Sequence, residues 1–268
     1  MADKKKTEET ANLPEARKSL LPHLPSSTQV REIFQQNLEG IEPAFEVVKV
    51  PAGGGLSWTV PTLEGEESRK ELAGVILDHY PVRAYWEHEY GKDGSSAPPA
   101  CSSIDGIRGV GNPGGECAKC PKNEWQSGKD GRGKACRQKH RVFLYAPEFE
   151  GFLPFLVVLP TMSATKKYEG SIATYAVKLT SRLKPLSSVT SRLKLTEDKN
   201  QDGIKYSKVQ FFMGEELAPD DMEKVKHLIA FLKPAMRQKP IGAEEYDNED
   251  TIATTGAAPV EKEPWEKP

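Results

Sequence analysis

No run of residues in this chain approaches the ~18 apolar positions that a membrane-crossing helix needs. The opening residues, Met1-Ala2-Asp3-Lys4-Lys5-Lys6, lead into glutamates without the apolar stretch of a secretion signal. A reducing cytoplasm is therefore the expected setting, and disulfides are rare there. Histidine is sparse: His23, His79, His88, His140 and His227 stand far apart, with neither metal-type nor triad-type spacing. Apolar residues make up only 37% of the 268 and aromatics 8%, against 28% charged and 21 prolines. The core must be modest, and part of the chain has too little to bury to hold a fold. A net charge of −2 suggests no partner until it is divided by region. Lys and Arg outnumber Asp and Glu nine to four from Cys101 to Tyr145 and ten to four from Ser163 to Gln210, and the acids lead eight to two from Pro240 to Pro268. A basic body with an acidic tail is expected.

The order of elements reads as α+β. Residues 1–27 are Lys-, Glu- and Pro-rich without periodicity, a disordered arm. Val30, Ile33, Phe34, Leu38 and Ile41 fall at helical spacing, with Thr28 as cap and Gly40 as stop. β-branched and aromatic clusters predict strands at Phe45–Val50, Leu56–Val60, Leu72–Asp78 and Tyr80–Trp86, with Pro51–Gly55 as a hairpin loop, and further strands at His140–Ala146 and Phe152–Leu159. Tyr168, Ile172, Tyr175, Leu179 and Leu183 predict one helix of about five turns from Ser163. Alternation from Val189 to Leu195, a turn at Asn200–Gly203 and Ile204–Met213 make a long hairpin. The apolar phase of its second strand slips near Ser207-Lys208, which predicts a bulge. A last helix starts near Pro219, with Asp220 and Asp221 in its first turn. One domain spanning 28–238 follows, with a Cys-rich insertion at about 95–138 and a disordered acidic tail at 239–268.

The chain has four cysteines, in the pattern Cys101-x15-Cys117-x2-Cys120-x15-Cys136. Two residues between Cys117 and Cys120 let both sulfurs turn toward one point ~2.3 Å away, and the outer two complete a tetrahedron, which predicts one structural zinc ion per chain. Residues 95–139 carry almost no aliphatic side chains, so burial cannot offset their ordering entropy and a metal is needed to fold them. Two disulfides or an iron–sulfur cluster are the alternatives. Two catalytic-looking strings in the same stretch fail. Gly109-x-Gly111-x-x-Gly114 has no strand leading in and no helix following, and the near P-loop at Gly128–Ala135 has Ala135 where a magnesium-binding hydroxyl is required. With four thiols committed and no histidine partnered, no catalytic residue is expected.

Sequence-indifferent binding of single strands needs cations along a backbone and flat rings on which bases stack. Candidates are Arg83, Tyr85 and Trp86 before the Cys segment; Trp125, Lys134, Arg137, Lys139, Arg141, Phe143 and Tyr145 in and after it; and Lys166, Lys167, Tyr168 and Lys178 beyond. Alternation along a strand puts Arg141, Phe143 and Tyr145 on one face, a candidate stacking platform. Burial in a core is the competing expectation for those rings. Glu261, Glu263, Trp265 and Glu266 end a polyanion that can occupy a cationic groove, dock on replication or recombination proteins, or only solubilise.

The stretch Ala100–Gly106, Cys117–Trp125 and Gly133–Cys136, with the strands around it, resembles phage-encoded single-stranded DNA-binding proteins. The likeness spans about residues 30–236 in layout and is specific in the Cys segment. It implies an OB-like antiparallel β-barrel with flanking helices, a zinc insertion, an acidic tail, and a non-enzymatic coat for single-stranded DNA in phage-type replication or recombination, in the cytoplasm of a bacterial host. The best-known proteins of that type use three cysteines and one histidine where four cysteines stand here, and their tails end on an aromatic, not on Trp265-Glu266-Lys267-Pro268. A zinc-containing regulator or recombination partner that binds duplex nucleic acid or proteins, and a nucleic-acid enzyme, remain the alternatives.

Overall fold

A computed structural model describes residues 19–21, 24–41, 43–87, 98–131, 133–149, 151–166, 168–200 and 203–246. Its elements in order are α1 (Ser27–Asn37), β1 (Val47–Lys49), β2 (Trp58–Thr62), β3 (Gly65–Arg69), β4 (Glu71–Tyr85), β5 (Cys101–Ser103), β6 (Arg108–Gly111), β7 (Gly115–Glu116), β8 (Arg137–Tyr145), β9 (Phe155–Pro160), α2 (Thr161–Ala164), α3 (Ile172–Thr180), β10 (Val189–Lys199), β11 (Lys205–Glu216) and α4 (Pro219–Gln238). The fold is α+β, and none of its helices is long and apolar enough to cross a membrane.

β4 is the spine. The expected strands at 72–78 and 80–86 are one element of 15 residues, with a bulge between Ile76 and Asp78. Its first half pairs with β10, and from Val75 onward it pairs with β8; its last residues also take β5 on the other edge. β8 pairs with β9, β9 with β1 in parallel, and β10 with β11. The strand path β1-β9-β8-β4-β10-β11 does not close into a barrel: β1 and β11 are unpaired with each other. At that seam Ser207 Oγ donates to the Gly55 carbonyl at 2.8 Å.

Both faces of the sheet are covered. Alternation sends Phe143, Tyr145, Tyr80 and Val82 to one side, where they pack with Val225, Leu228 and Leu232 of α4 and with Leu21 and Val30. Val142, Leu144, Ile76 and Leu193 face the other, against Trp58 and against Ile172, Tyr175 and Leu179 of α3. Two cores on one sheet explain how so few apolar residues suffice, because β8 is buried on both faces.

Several expectations are corrected. α1 is capped by Ser26, not Thr28, through a capping box with Gln29. The 51–55 loop is not a hairpin, since β1 pairs with β9 and β2 with β3. The expected five-turn helix shrinks to α3: α2 already ends at Ala164, Gly170 at φ +77° turns the chain, and Ser171 caps α3 by accepting from the Thr174 amide. The bulge in the long hairpin lies between Val189 and Ser191, while β11 runs in register from Lys205 to Met213. Asp221 is fully buried and accepts from Ser19 Oγ at 2.7 Å and the Leu20 amide at 2.8 Å. That pair of bonds ties part of the expected arm to the body. Past α4 the chain remains built in as far as Tyr246, which is buried.

Candidate functional site

β5, β6 and β7 and the turns after them form a module between β4 and β8. Cys101 lies on β5 opposite Tyr85, and its sulfur rests over Gly109, where a Cβ would sit 2.9 Å from Sγ. Only glycine fits that approach. Cys117 opens a short turn anchored by its amide to the Ile107 carbonyl at 2.8 Å. Cys120 accepts from the Asn123 amide at 2.9 Å, and the Cys136 amide donates to the Lys122 carbonyl at 2.7 Å.

All four cysteines are free, so the disulfide alternative is not realised. They line one void of about 10 Å³ together with Arg83, Tyr85 and Asn123, close to the volume that one water-sized occupant needs. Burial pushes the Cys136 thiol up to about 11; the Arg83 guanidinium pulls it down, while Cys117, Cys120 and Cys101 push it further up. Among the described residues no group of three or more His, Cys, Asp or Glu forms a ready metal cage. The arrangement is four thiols around one small void, not a closed coordination shell. A soft divalent cation is the ligand such a donor set suits, and binding would release thiol protons.

Asn123, which sequence reasoning passed over, is the joint between module and body. Its Oδ1 accepts from Arg83 Nη1 at 2.6 Å and Lys134 Nζ at 3.1 Å, and its Nδ2 donates to the Cys117 carbonyl at 2.7 Å. Arg83 also reaches the Gly106 carbonyl through Nε at 3.2 Å. Tyr85 is half-buried under Lys122, whose Nζ lies 4.8 Å from the ring centre. Trp125 stands out at 74% exposure, beside Gln126 at φ +71°. Ile107 and Val110 are also exposed on the module, as are Arg108, Lys119 and Lys134.

The stacking platform on β8 is corrected. Arg141, Phe143 and Tyr145 do share a face, but α4 and the segment after it cover that face, so all three side chains are interior. Phe143 packs against Phe45 and Tyr80. Arg141 donates to Glu245 from Nε at 2.8 Å and Nη2 at 2.5 Å, to the Lys239 carbonyl from Nη1 at 2.7 Å and to the Pro240 carbonyl from Nη2 at 2.7 Å. Lys139 is buried too, its Nζ 5.6 Å from the Tyr246 ring centre, and Trp86 meets the same ring edge-on. Among the described cations between Cys101 and Tyr145, Lys139 and Arg141 are thus turned inward. Arg137 is half-buried on β8 opposite Ala84. Lys166 and Lys178 are exposed, the latter 3.8 Å from Glu169, and Tyr168 lies beside Lys208 on another part of the surface. Lys167 and the tail residues Glu261, Glu263, Trp265 and Glu266 lie outside the described residues.

His79 and His140, 61 positions apart in sequence, sit diagonally on β4 and β8 and share a hydrogen bond of 2.9 Å between Nδ1 and Nε2. Burial lowers both pKa values, His140 to about 3. No family model, curated protein or solved structure matches this chain.

Proposed function

We propose that this chain is a non-enzymatic single-stranded DNA-binding protein of phage-type replication or recombination, and that Cys101, Cys117, Cys120 and Cys136 hold one structural zinc ion that fixes its contact module. The observation carrying this reading is Trp125, 74% exposed at the end of a module that also presents Arg108, Lys119 and Lys134. A large ring left in water on a module that also bears exposed cations suits base stacking and phosphate contact. The void of about 10 Å³ among the four thiols supports the metal. Four thiolates leave no open position for water, so the ion's chemistry is structural. The open strand path from β1 to β11 supports an OB-like half-barrel as the scaffold. In this proposal the contact surface moves from the buried face of β8 to the module.

Fluorescence titration with oligo-dT and with duplex of equal length, at several salt concentrations, tests the reading. Tight dT binding and weak duplex binding are expected. Trp125→Ala should weaken dT binding by ~1–3 kcal/mol, one base stack, with an unchanged melting temperature. Duplex preference would favour the regulator, and no binding to either would end the proposal.

A further inference from the structure

The β10–β11 hairpin has one face against the core and one toward solvent. Leu193, Leu195, Val209 and Phe211 are buried, and α3 covers them: Tyr175 stacks on Phe211 with ring centres 5.9 Å apart and bonds Ser191 through its hydroxyl. The register pairs Arg192 with Phe212, Lys194 with Gln210, Thr196 with Lys208 and Asp198 with Tyr206, so these residues share the opposite face. The outer face of such a hairpin is ordinarily polar throughout. Here Phe212 is 40% exposed.

The slipped apolar phase of β11 has the same origin. Ser207 points inward because its hydroxyl bonds the Gly55 carbonyl across the open seam, and Phe212 points outward in an unbroken register. Phe212 lies directly across from Arg192 in the register, and the Cβ atoms of such cross-strand neighbours stand ~4.5–5.5 Å apart. At the other end of the same face, six residues or roughly 20 Å along the strand, Tyr206 bonds Asp198 through its hydroxyl and feels Tyr168, whose ring centre is 5.3 Å from Lys208 Nζ. The cations are held by acids of the face and of neighbouring β4: Lys194 by Glu71 of β4 at 2.9 Å and Lys208 by Asp198 at 2.9 Å, with Arg192 4.0 Å from Glu71. Arg192 and Lys194 are themselves exposed, and an ion pair at such a position gains little in water, whereas the Lys208–Asp198 pair is partly buried.

We propose that the outer face of β10 and β11 is a second contact surface for single-stranded nucleic acid. Phe212 and the Tyr168–Tyr206 end take bases, and Arg192 and Lys194 take phosphates. Any base has a π-face, so the surface is indifferent to sequence. The inference rests on the proposed function and extends it from a module to a track with two stations.

The full chain is crosslinked to oligo-dT carrying 5-iododeoxyuridine and the modified peptides are mapped, while dT affinity and thermal melting are followed for variants. Crosslinks are expected in Lys205–Glu216. Phe212→Ala should lose roughly 5- to 100-fold in affinity, with the melt unchanged and with recovery in Phe212→Trp. Arg192→Gln with Lys194→Gln should lower the slope of log affinity on log salt by about 1.4, two phosphates on a single strand. Native-like dT binding by Phe212→Ala, with crosslinks confined to the Cys module, overturns this surface and leaves the proposed function standing. A native chain that binds no dT overturns both.

Discussion

Between β4 and β8 the chain changes its means of staying folded. On the body side, Trp58, Phe143, Leu144, Leu156 and Leu193 are almost wholly buried on the two faces of one sheet, and each such side chain contributes ~1.5–3 kcal/mol by leaving water. On the module side the buried side chains are chiefly the thiols Cys101, Cys117 and Cys136, while Ile107, Val110 and Trp125 stay in solvent. Short polar links replace packing there, with Asn123 at their centre. The body carries its own stability; in the proposed reading the module depends on a metal among its four thiols and leaves its large side chains for a partner.

The most severe test of that contrast removes the sulfurs. Cys117→Ser with Cys120→Ser should eliminate about one zinc per chain and, with it, the ~10–16 kcal/mol of apparent binding free energy that folds small four-ligand modules. Hydrogen exchange should then show loss of protection across residues 98–136, while β8 beyond Arg141, β9 and α4 keep theirs. A native protein without metal, whose module amides are as protected as those of the body, would erase the distinction.

A smaller effect sharpens the body side. Arg141 and Glu245 are both fully buried, and the guanidinium also satisfies two carbonyls at the end of α4. Removing one partner strands a buried charge, so Arg141→Ala should cost ~3–5 kcal/mol in urea unfolding. Arg141→Met with Glu245→Leu should recover most of it. A double variant no more stable than the single one would mean that the carbonyl contacts, not the stranded carboxylate, dominate.

Local chemistry made some of this legible in sequence. C-x2-C is a motif of neighbours, and α4, β8, β9 and the long hairpin announce themselves by their own period. β3 did not: Gly65-Glu66-Glu67-Ser68-Arg69 is exposed throughout and is a strand only because β2 lies beside it. The parallel β1–β9 pair joins segments that share no local signal. Tyr168 and Ile172 kept helical spacing across a non-helical stretch that opens at Thr165 and closes with the positive φ of Gly170. At the candidate site the thiols were found from spacing, whereas Arg141, Phe143 and Tyr145 were placed on the right shared face without any sign that α4 would cover it. Alternation tells which residues face together; only tertiary packing tells what they face.

The His79–His140 pair yields an effect that is absent at neutral pH and grows only with acid, and it lies on the stretch of β4 and β8 that pairs between body and module. Burial is the chief cause of both lowered pKa values; His79 further lowers His140, while for His79 Asp78 works upward and Arg237 downward. In the unfolded chain both titrate near the usual 6.5. Above that pH neither state binds the protons, and stability is independent of the pair. Below it the unfolded chain takes up protons that the folded sheet refuses, so stability falls as pH drops from about 6.5 toward His140's value of about 3, by up to ~1.4 kcal/mol per pH unit for each histidine. Urea unfolding at pH 7.5, 6 and 5 should show that decline, and His140→Gln should flatten it by about one proton. Equal stability at pH 7.5 and 5 in the native chain would mean that the two rings meet water and that the β4–β8 neck belongs, in its packing, to the module and not to the body.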